Sequence, residues 1–355
     1  MGFKNIIHKI RLGRDLLRRR IGLWLFDKKT VPVFQKKELK EIVVVRWDAK
    51  IGDSIVSSFF FREIKKIFPN VKVSVITTPE MQEMYKKDFL VDNVYLSKKR
   101  PSYSDLNELA RKTKNADLVV HLSKILKMKD LFFLSRFKNA NIAGLDDSVN
   151  LVDLKLGKST AGEHFSYKYK KLINAYSDSN VSEEYIIPSR SDIYDRLSSQ
   201  IKCDKKLIAI NPYGSSTVRR LSNDSIREIL KLLQENIHDF KVVFICAPQD
   251  RVNLKVIVDE YPNLCLDGEF GDSIYHAIEL VRLADYVITV DTSIVHIASG
   301  LNKHLLSLYN PNMINHKEWS PKSEKNVTLF SLQNDINSLD ESEIGKVICE
   351  QFKKR

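Results

Sequence analysis

Glu41-Ile42-Val43-Val44-Val45-Arg46-Trp47-Asp48-Ala49-Lys50-Ile51-Gly52-Asp53-Ser54 is the stretch whose reading decides the fold. Its apolar run 42–45 has strand length and no alternation, the pattern of a parallel strand buried on both faces. A polar turn, 48–53, follows with a single glycine. Residues 54–68 then read as a helix, Pro69-Asn70 as its stop, and 71–76 as the next strand. Strand, loop, helix, strand at this spacing is a βαβ unit, so a parallel sheet is predicted. Further strands are expected at 118–120 and 141–143.

Between about 159 and 206 the chain turns polar, and a second alternating series begins. Strands are predicted at 207–210, 242–246, 264–266, 286–290 and 305–308. Helices are predicted at 224–235, 252–260, 274–283 and 293–299. Two βα series joined by a polar stretch argue for two Rossmann-like domains, 38–185 and 186–355.

The chain has 355 residues and a formal net charge of +12, but the charge is concentrated. Residues 1–37 hold eleven Lys and Arg against Asp15 and Asp27, which is +9 of the total. Within them Phe3, Ile6, Ile7, Ile10, Leu17, Ile21, Trp24 and Leu25 recur at three- and four-residue steps, the period of an amphipathic helix. Such a segment fits an anionic membrane surface, a helix packed on the body with a solvated basic face, or nucleic acid. Arg11, Arg14 and Arg18 to Arg20 interrupt any apolar run and no small-residue cleavage site follows, which speaks against a secretory signal. The near-balanced charge of the remaining chain, without an aromatic-basic stripe, speaks against nucleic acid as a partner. No uncharged apolar run reaches bilayer-spanning length. Cys203, Cys246, Cys265 and Cys349 lie too far apart for a disulfide framework or a zinc site, which points to a reducing, cytoplasmic compartment.

Three loops that follow strands carry the chemistry. In the first, Asp48, Lys50 and Gly52 lead to Asp53, which is either the cap of the following helix or a functional carboxylate. The second, Asn211-Pro212-Tyr213-Gly214-Ser215-Ser216-Thr217-Val218-Arg219-Arg220, combines hydroxyls, a glycine and adjacent arginines, as an anion clamp or a solvated loop would. In the third, Asp291, Thr292 and Ser293 open a helix on which His296 shares a face with Thr292. This suits a phosphate at the helix start, or a capped helix with a packed histidine.

Together these loops resemble glycosyltransferase family 9, the ADP-heptose:lipopolysaccharide heptosyltransferases, over roughly residues 41–330. Arg46 to Asp53 is similar to the family's R-L-D-x-I-G-D loop, and Asp117 to Leu122 with Ile142 to Leu145 to two segments that follow it. His164 to Leu172 resembles its interdomain histidine segment. Ala209 to Arg220 resembles H-P-G-A-S-x-x-K-R-W, and Ala284 to Ala298 resembles A-D-x-x-I-x-x-D-T-G-x-x-H-x-A. Pro311 and Trp319-Ser320-Pro321 fit the C-terminal elements. The chain departs at Arg219, where the family has lysine, at Leu221 for tryptophan, at Ser293 for glycine and at His121 for aspartate.

The resemblance implies an α/β GT-B fold, with two Rossmann-like domains facing a central cleft; the basic amphipathic N-terminal segment, 1–37, lies outside the match and is read from its charge alone. It implies inverting transfer of a heptose from ADP-heptose, or of another sugar from another nucleotide donor, to a lipopolysaccharide core. A non-catalytic sugar-nucleotide binding protein is the other class. Asp53 would be the base, with Asp48, Lys50 and Gly52 on the acceptor side. Ser215, Ser216, Arg219, Arg220, Asp250, Asp291, Thr292, Ser293 and His296 would hold the donor without a metal or other cofactor. The partners expected are a nucleotide sugar, the core acceptor and an anionic membrane surface, at the inner face of the bacterial inner membrane.

Overall fold

The computed structural model describes residues 3–29, 34–202 and 204–352, with side chains of the first helix from Arg11 onward. Phe3, Ile6, Ile7 and Ile10 of the expected apolar stripe, and Cys203, fall outside the described side chains. The chain divides into two compact units: residues 1–50 with 57–183, and residues 51–56 with 184–355.

The first unit holds helices α1 (Phe3–Phe26), α2 (Ile51–Ile67, whose first residues group with the second unit), α3 (Tyr103–Lys112), α4 (Met128–Leu134) and α5 (Phe165–Asn174). Its strands are β1 (Glu41–Arg46), β2 (Lys72–Thr77), β3 (Asn93–Leu96), β4 (Leu118–His121), β5 (Asn141–Gly144) and β6 (Leu154–Lys155). All pair in parallel, in the order β3-β2-β1-β4-β5-β6. Ile42 to Val45 are buried, as continuous apolar strands in a covered parallel sheet must be. The part of α2 in this unit is covered along its apolar side: Phe59, Phe60, Phe61 and Ile64 are all within 2% of complete burial, with Phe60 against the Tyr169 ring and Phe61 against the rings of Tyr85 and Phe89.

The second unit holds α6 (Ser191–Ile201), α7 (Asn223–Asn236), α8 (Arg251–Glu260), α9 (Ile274–Leu283), α10 (Ser293–Gly300), α11 (Met313–Trp319) and α12 (Glu341–Phe352). Strands β7 (Lys206–Asn211), β8 (Phe240–Phe244), β9 (Tyr286–Val290), β10 (His304–Tyr309) and β11 (Asn326–Phe330) form a second parallel sheet, ordered β11-β10-β9-β7-β8. Its core joins Ile208, Ile210, Val242 and Ile288 of the sheet to Leu230 and Leu233 of α7 and Ile348 and Phe352 of α12.

Two expectations are corrected. The segment 264–266 is not a strand: Cys265 makes one isolated bridge to Val242, closed by two backbone hydrogen bonds, before the chain leaves at Asp267-Gly268. Helix α2 begins at Ile51 and not at Ser54. Its cap position is Lys50, in extended conformation and without a side-chain cap bond, so Asp53 is the third helical residue and not the cap.

Helix α1 docks on the first unit through Arg19, Gly22, Leu23 and Phe26. Arg19 donates to Asp146 at 2.8 Å and to Ser148 at 3.0 Å. A Cβ on Gly22 would stand 3.0 Å from Met128 Cα, so glycine is what lets α1 approach α4. Phe26 meets the Phe132 ring edge-on at 5.3 Å, and Asp27 accepts from the backbone N–H groups of Asn150 and Leu151.

Candidate active site

In the second sheet the chain passes from β7 outward to β8, then crosses to β9 on the other side of β7. Where strand order reverses in this way, the loops at the carboxyl ends diverge and leave a crevice. Those loops are 212–222 and 291–293, the two anion-friendly segments of the second half. In the first sheet the corresponding reversal lies between β1 and β4. There Trp47, just past β1, packs edge-on against the ring of His121 at the end of β4, 5.4 Å between centroids. His121 in turn lies 3.2 Å from Asp130, whose carboxyl is held below its usual range. Burial opposes that shift, and the bonds from His121 and the Lys127 N–H outweigh it.

One buried side chain ties the second crevice together. The Asn211 side-chain oxygen accepts from Thr289 at 3.0 Å and from Thr292 at 2.8 Å, and its amide donates to the Ile245 carbonyl at 2.8 Å. The ends of β7, β8 and β9 are thereby fixed by a residue that heads the second loop in the sequence but to which the sequence pattern assigns no role. An asparagine ending an apolar strand was the signal available, since a buried amide demands partners.

Arg219 fastens the two loops. It donates to the Asp291 carboxylate at 2.9 Å and to its carbonyl at 3.1 Å, and to the hydroxyls of Ser216 and Ser215 at 3.1 and 2.9 Å. Arg220 pairs with Asp250 at 2.5 Å and lies 4.2 Å over the Tyr213 ring. The turn between them is tight: a Cβ on Gly214 would meet the Arg219 carbonyl oxygen at 2.8 Å, so this position requires glycine. Thr292 caps α10 by accepting from the Ile294 N–H at 3.2 Å. His296, one turn on, is buried, with its ring 6.1 Å from that of Trp319.

Asp53 stands beside a second close approach. Gly52 groups with the second unit, and a Cβ there would lie 3.0 Å from His296 Cδ2 and 3.4 Å from Ser293 Cα. A side chain there would press on the His296 ring, so glycine eases the near approach of the start of α2 to the start of α10. Ahead of it, Ala49 takes a left-handed conformation, φ 53°, the kind of local cost that tertiary structure enforces at site-forming turns. In the first unit, Asp48 lies 3.5 Å from Arg46, and Lys50 is exposed.

Past Asp250, a cavity of about 640 Å³ opens among the end of β8, α8 and segment 266–273. Phe244, Val252 and Phe270 give it an apolar wall, while Arg251 and Ser273 are polar members. Sequence reading passed over this segment because Asp267-Gly268-Glu269-Phe270-Gly271 has no periodicity. Burial pushes the Cys246 thiol at its edge up.

Comparison with known proteins agrees with this architecture. A family profile described as Glycosyltransferase family 9 (heptosyltransferase) matches residues 107–347. An Escherichia coli (strain K12) protein with the provisional name lipopolysaccharide heptosyltransferase 4 is 23% identical over 314 residues, 85% of either chain. A glycosyl transferase family 9 structure from Veillonella parvula superposes with a TM-score of 0.70 at 15% identity, covering 88% of this chain and 97% of that one. The E. coli heptosyltransferase WaaC, solved with ADP, gives 0.64 at 12% identity, covering 87% and 99%. At such identities the structural likeness shows the fold: α/β with two parallel sheets, of GT-B type.

Proposed function

The chain belongs to glycosyltransferase family 9, and from that premise we propose that it transfers a heptose from ADP-heptose to the inner core of a lipopolysaccharide acceptor, with inversion. An acceptor hydroxyl attacks the anomeric carbon as the bond from that carbon to the diphosphate oxygen breaks. The hydroxyl proton passes to the Asp53 carboxylate, and ADP departs with the bonding pair. A base within about 3 Å of the hydroxyl typically supplies 10²- to 10⁴-fold.

The observation that carries this reading is the approach of Gly52 to Ser293 and His296, which sets Asp53 next to the helix start that suits a diphosphate. The charge developing on the leaving group falls among Arg219, Arg220, the positive end of α10 and His296, which are oriented before substrate arrives. Ser215, Ser216 and Asp291 hold Arg219 in place, and Asp250 holds Arg220, so these four act through the guanidinium groups. The apolar-walled cavity past Asp250 has room for the adenine ring, and a relative of the same fold was solved with ADP.

Asp53→Asn tests the reading. With ADP-heptose and a heptose-deficient core acceptor, products read by mass spectrometry should fall at least a hundredfold while calorimetric ADP affinity stays within a few-fold. Retention of more than about a tenth of wild-type turnover removes Asp53 as the base. A panel of nucleotide sugars run alongside decides the donor: preference for a donor other than ADP-heptose would overturn that part of the assignment.

A further inference from the structure

Helix α1 presents two opposite faces. The docked residues Arg19, Gly22, Leu23 and Phe26 stand at i, i+3, i+4 and i+7. Leu17, Ile21, Trp24 and Leu25 stand at i, i+4, i+7 and i+8, roughly half a turn around the helix from that face. These four are 58, 40, 71 and 40% exposed, a continuous apolar stripe turned away from the unit that holds the helix. Arg11 and Arg18 border the stripe on one side and Arg20 on the other, all exposed. Lys28 places its ammonium 5.3 Å from the centre of the Trp24 ring.

From Leu16 to Phe26 there is no acidic residue. The two acids that flank this run are engaged, Asp15 with Arg14 and Asp27 with backbone N–H groups. An apolar stripe with a tryptophan, bordered by arginines whose stems reach past it, matches a helix lying in a lipid headgroup layer. A second copy of the chain is the wrong complement, since it would bring +9 of like charge against +9. No helix among the described residues is long and apolar enough to cross a membrane.

We propose that the Leu17–Ile21–Trp24–Leu25 face of α1 inserts into the surface of an anionic bilayer, with the docked face fixing how the first unit is held there. Membrane association is then built into the fold independently of donor and acceptor chemistry.

Co-sedimentation with vesicles tests it. The full chain should bind vesicles of phosphatidylglycerol mixed with phosphatidylcholine and not those of phosphatidylcholine alone, and salt should release it. The variant Leu17→Gln/Ile21→Gln/Trp24→Gln/Leu25→Gln should lose at least about tenfold in partitioning, with circular dichroism unchanged because these side chains face away from the unit. Undiminished binding by that variant, or equal binding to both vesicle types, overturns the proposal. So does a wild-type dimer on gel filtration that becomes monomeric in the variant, which would mean that a second copy covers the stripe. Should the quadruple variant misfold, Arg18→Glu/Arg20→Glu carries the same expectation, and unchanged binding by it is equally fatal.

Discussion

Replacing Asn211 by alanine measures how much of the donor crevice hangs on one amide. The side chain is 6% exposed and makes three hydrogen bonds. Thr289, fully buried, keeps a bond to the Val290 carbonyl at 2.9 Å, so its hydroxyl is not orphaned by the change. Thr292 loses its 2.8 Å acceptor and keeps only a 3.3 Å contact with the Thr289 hydroxyl, and the Ile245 carbonyl loses its side-chain donor. One lost and one weakened bond, at about 1–2 kcal/mol each, give a destabilisation of about 2–4 kcal/mol at most. For a unit of this size that lowers the midpoint by roughly 5–12 °C. The second consequence is functional: Thr292, which caps α10, loses its tether to β7 at the point where the diphosphate is proposed to bind, and ADP affinity should weaken about tenfold. Differential scanning calorimetry reads the first and titration calorimetry the second. A transition for the second unit within about 2 °C of wild type, together with unchanged ADP affinity, would refute the reasoning that Asn211 holds the crevice.

Arg219→Ala and His296→Ala should each weaken ADP binding measured in EDTA, since a lost charge-assisted contact costs about 1.5–3 kcal/mol; undiminished affinity in both would move the phosphates elsewhere. Gly52→Ala adds a Cβ 3.0 Å from His296 Cδ2, which the ring must yield by a few tenths of an ångström, while alanine favours the helix by about 1 kcal/mol. Stability should therefore stay nearly level and kcat fall roughly tenfold; wild-type kcat would show that the spacing of α2 and α10 is not critical. The Asp146 carboxyl is held below its usual range: burial raises it, but bonds from Ser148, Arg19 and the Leu126 N–H outweigh burial. A depressed carboxyl contributes stability above its unfolded value and loses it as pH falls through the folded one. The protection factors of α1 amides, corrected for the intrinsic pH dependence of exchange, should accordingly be unchanged from neutral pH to about 5 and fall below the normal aspartate range, and Asp146→Asn should show lowered protection already at neutral pH. Equal protection of α1 in both proteins at every pH would show that the pair with Arg19 does not hold the helix.

Much of this protein is legible along the chain, because the forces that write it are local. Unbroken apolar runs such as Val43-Val44-Val45, bounded by turn residues, read as strands covered on both faces, and the 3- and 4-residue recurrence of Leu17, Ile21, Trp24 and Leu25 reads as a helix face. The polar loops between them carry the family's residues in order. Tertiary structure alone decides what those residues do to one another. Strand order makes the loops after β7 and β9 neighbours although they are far apart in sequence, and that is why Arg219 reaches Asp291 and Asn211 reaches Thr292. The start of α2 at Ile51, which moves Asp53 from cap to third residue, depends on the turn at Ala49 and on the room Gly52 leaves for Ser293 and His296. Which face of α1 is bound follows from the absent Cβ at Gly22, the carboxylate at Asp146 and the seat of Phe26 against Phe132. Contacts of this kind join residues distant in the chain, and spacing within a sequence carries no record of distance across a fold.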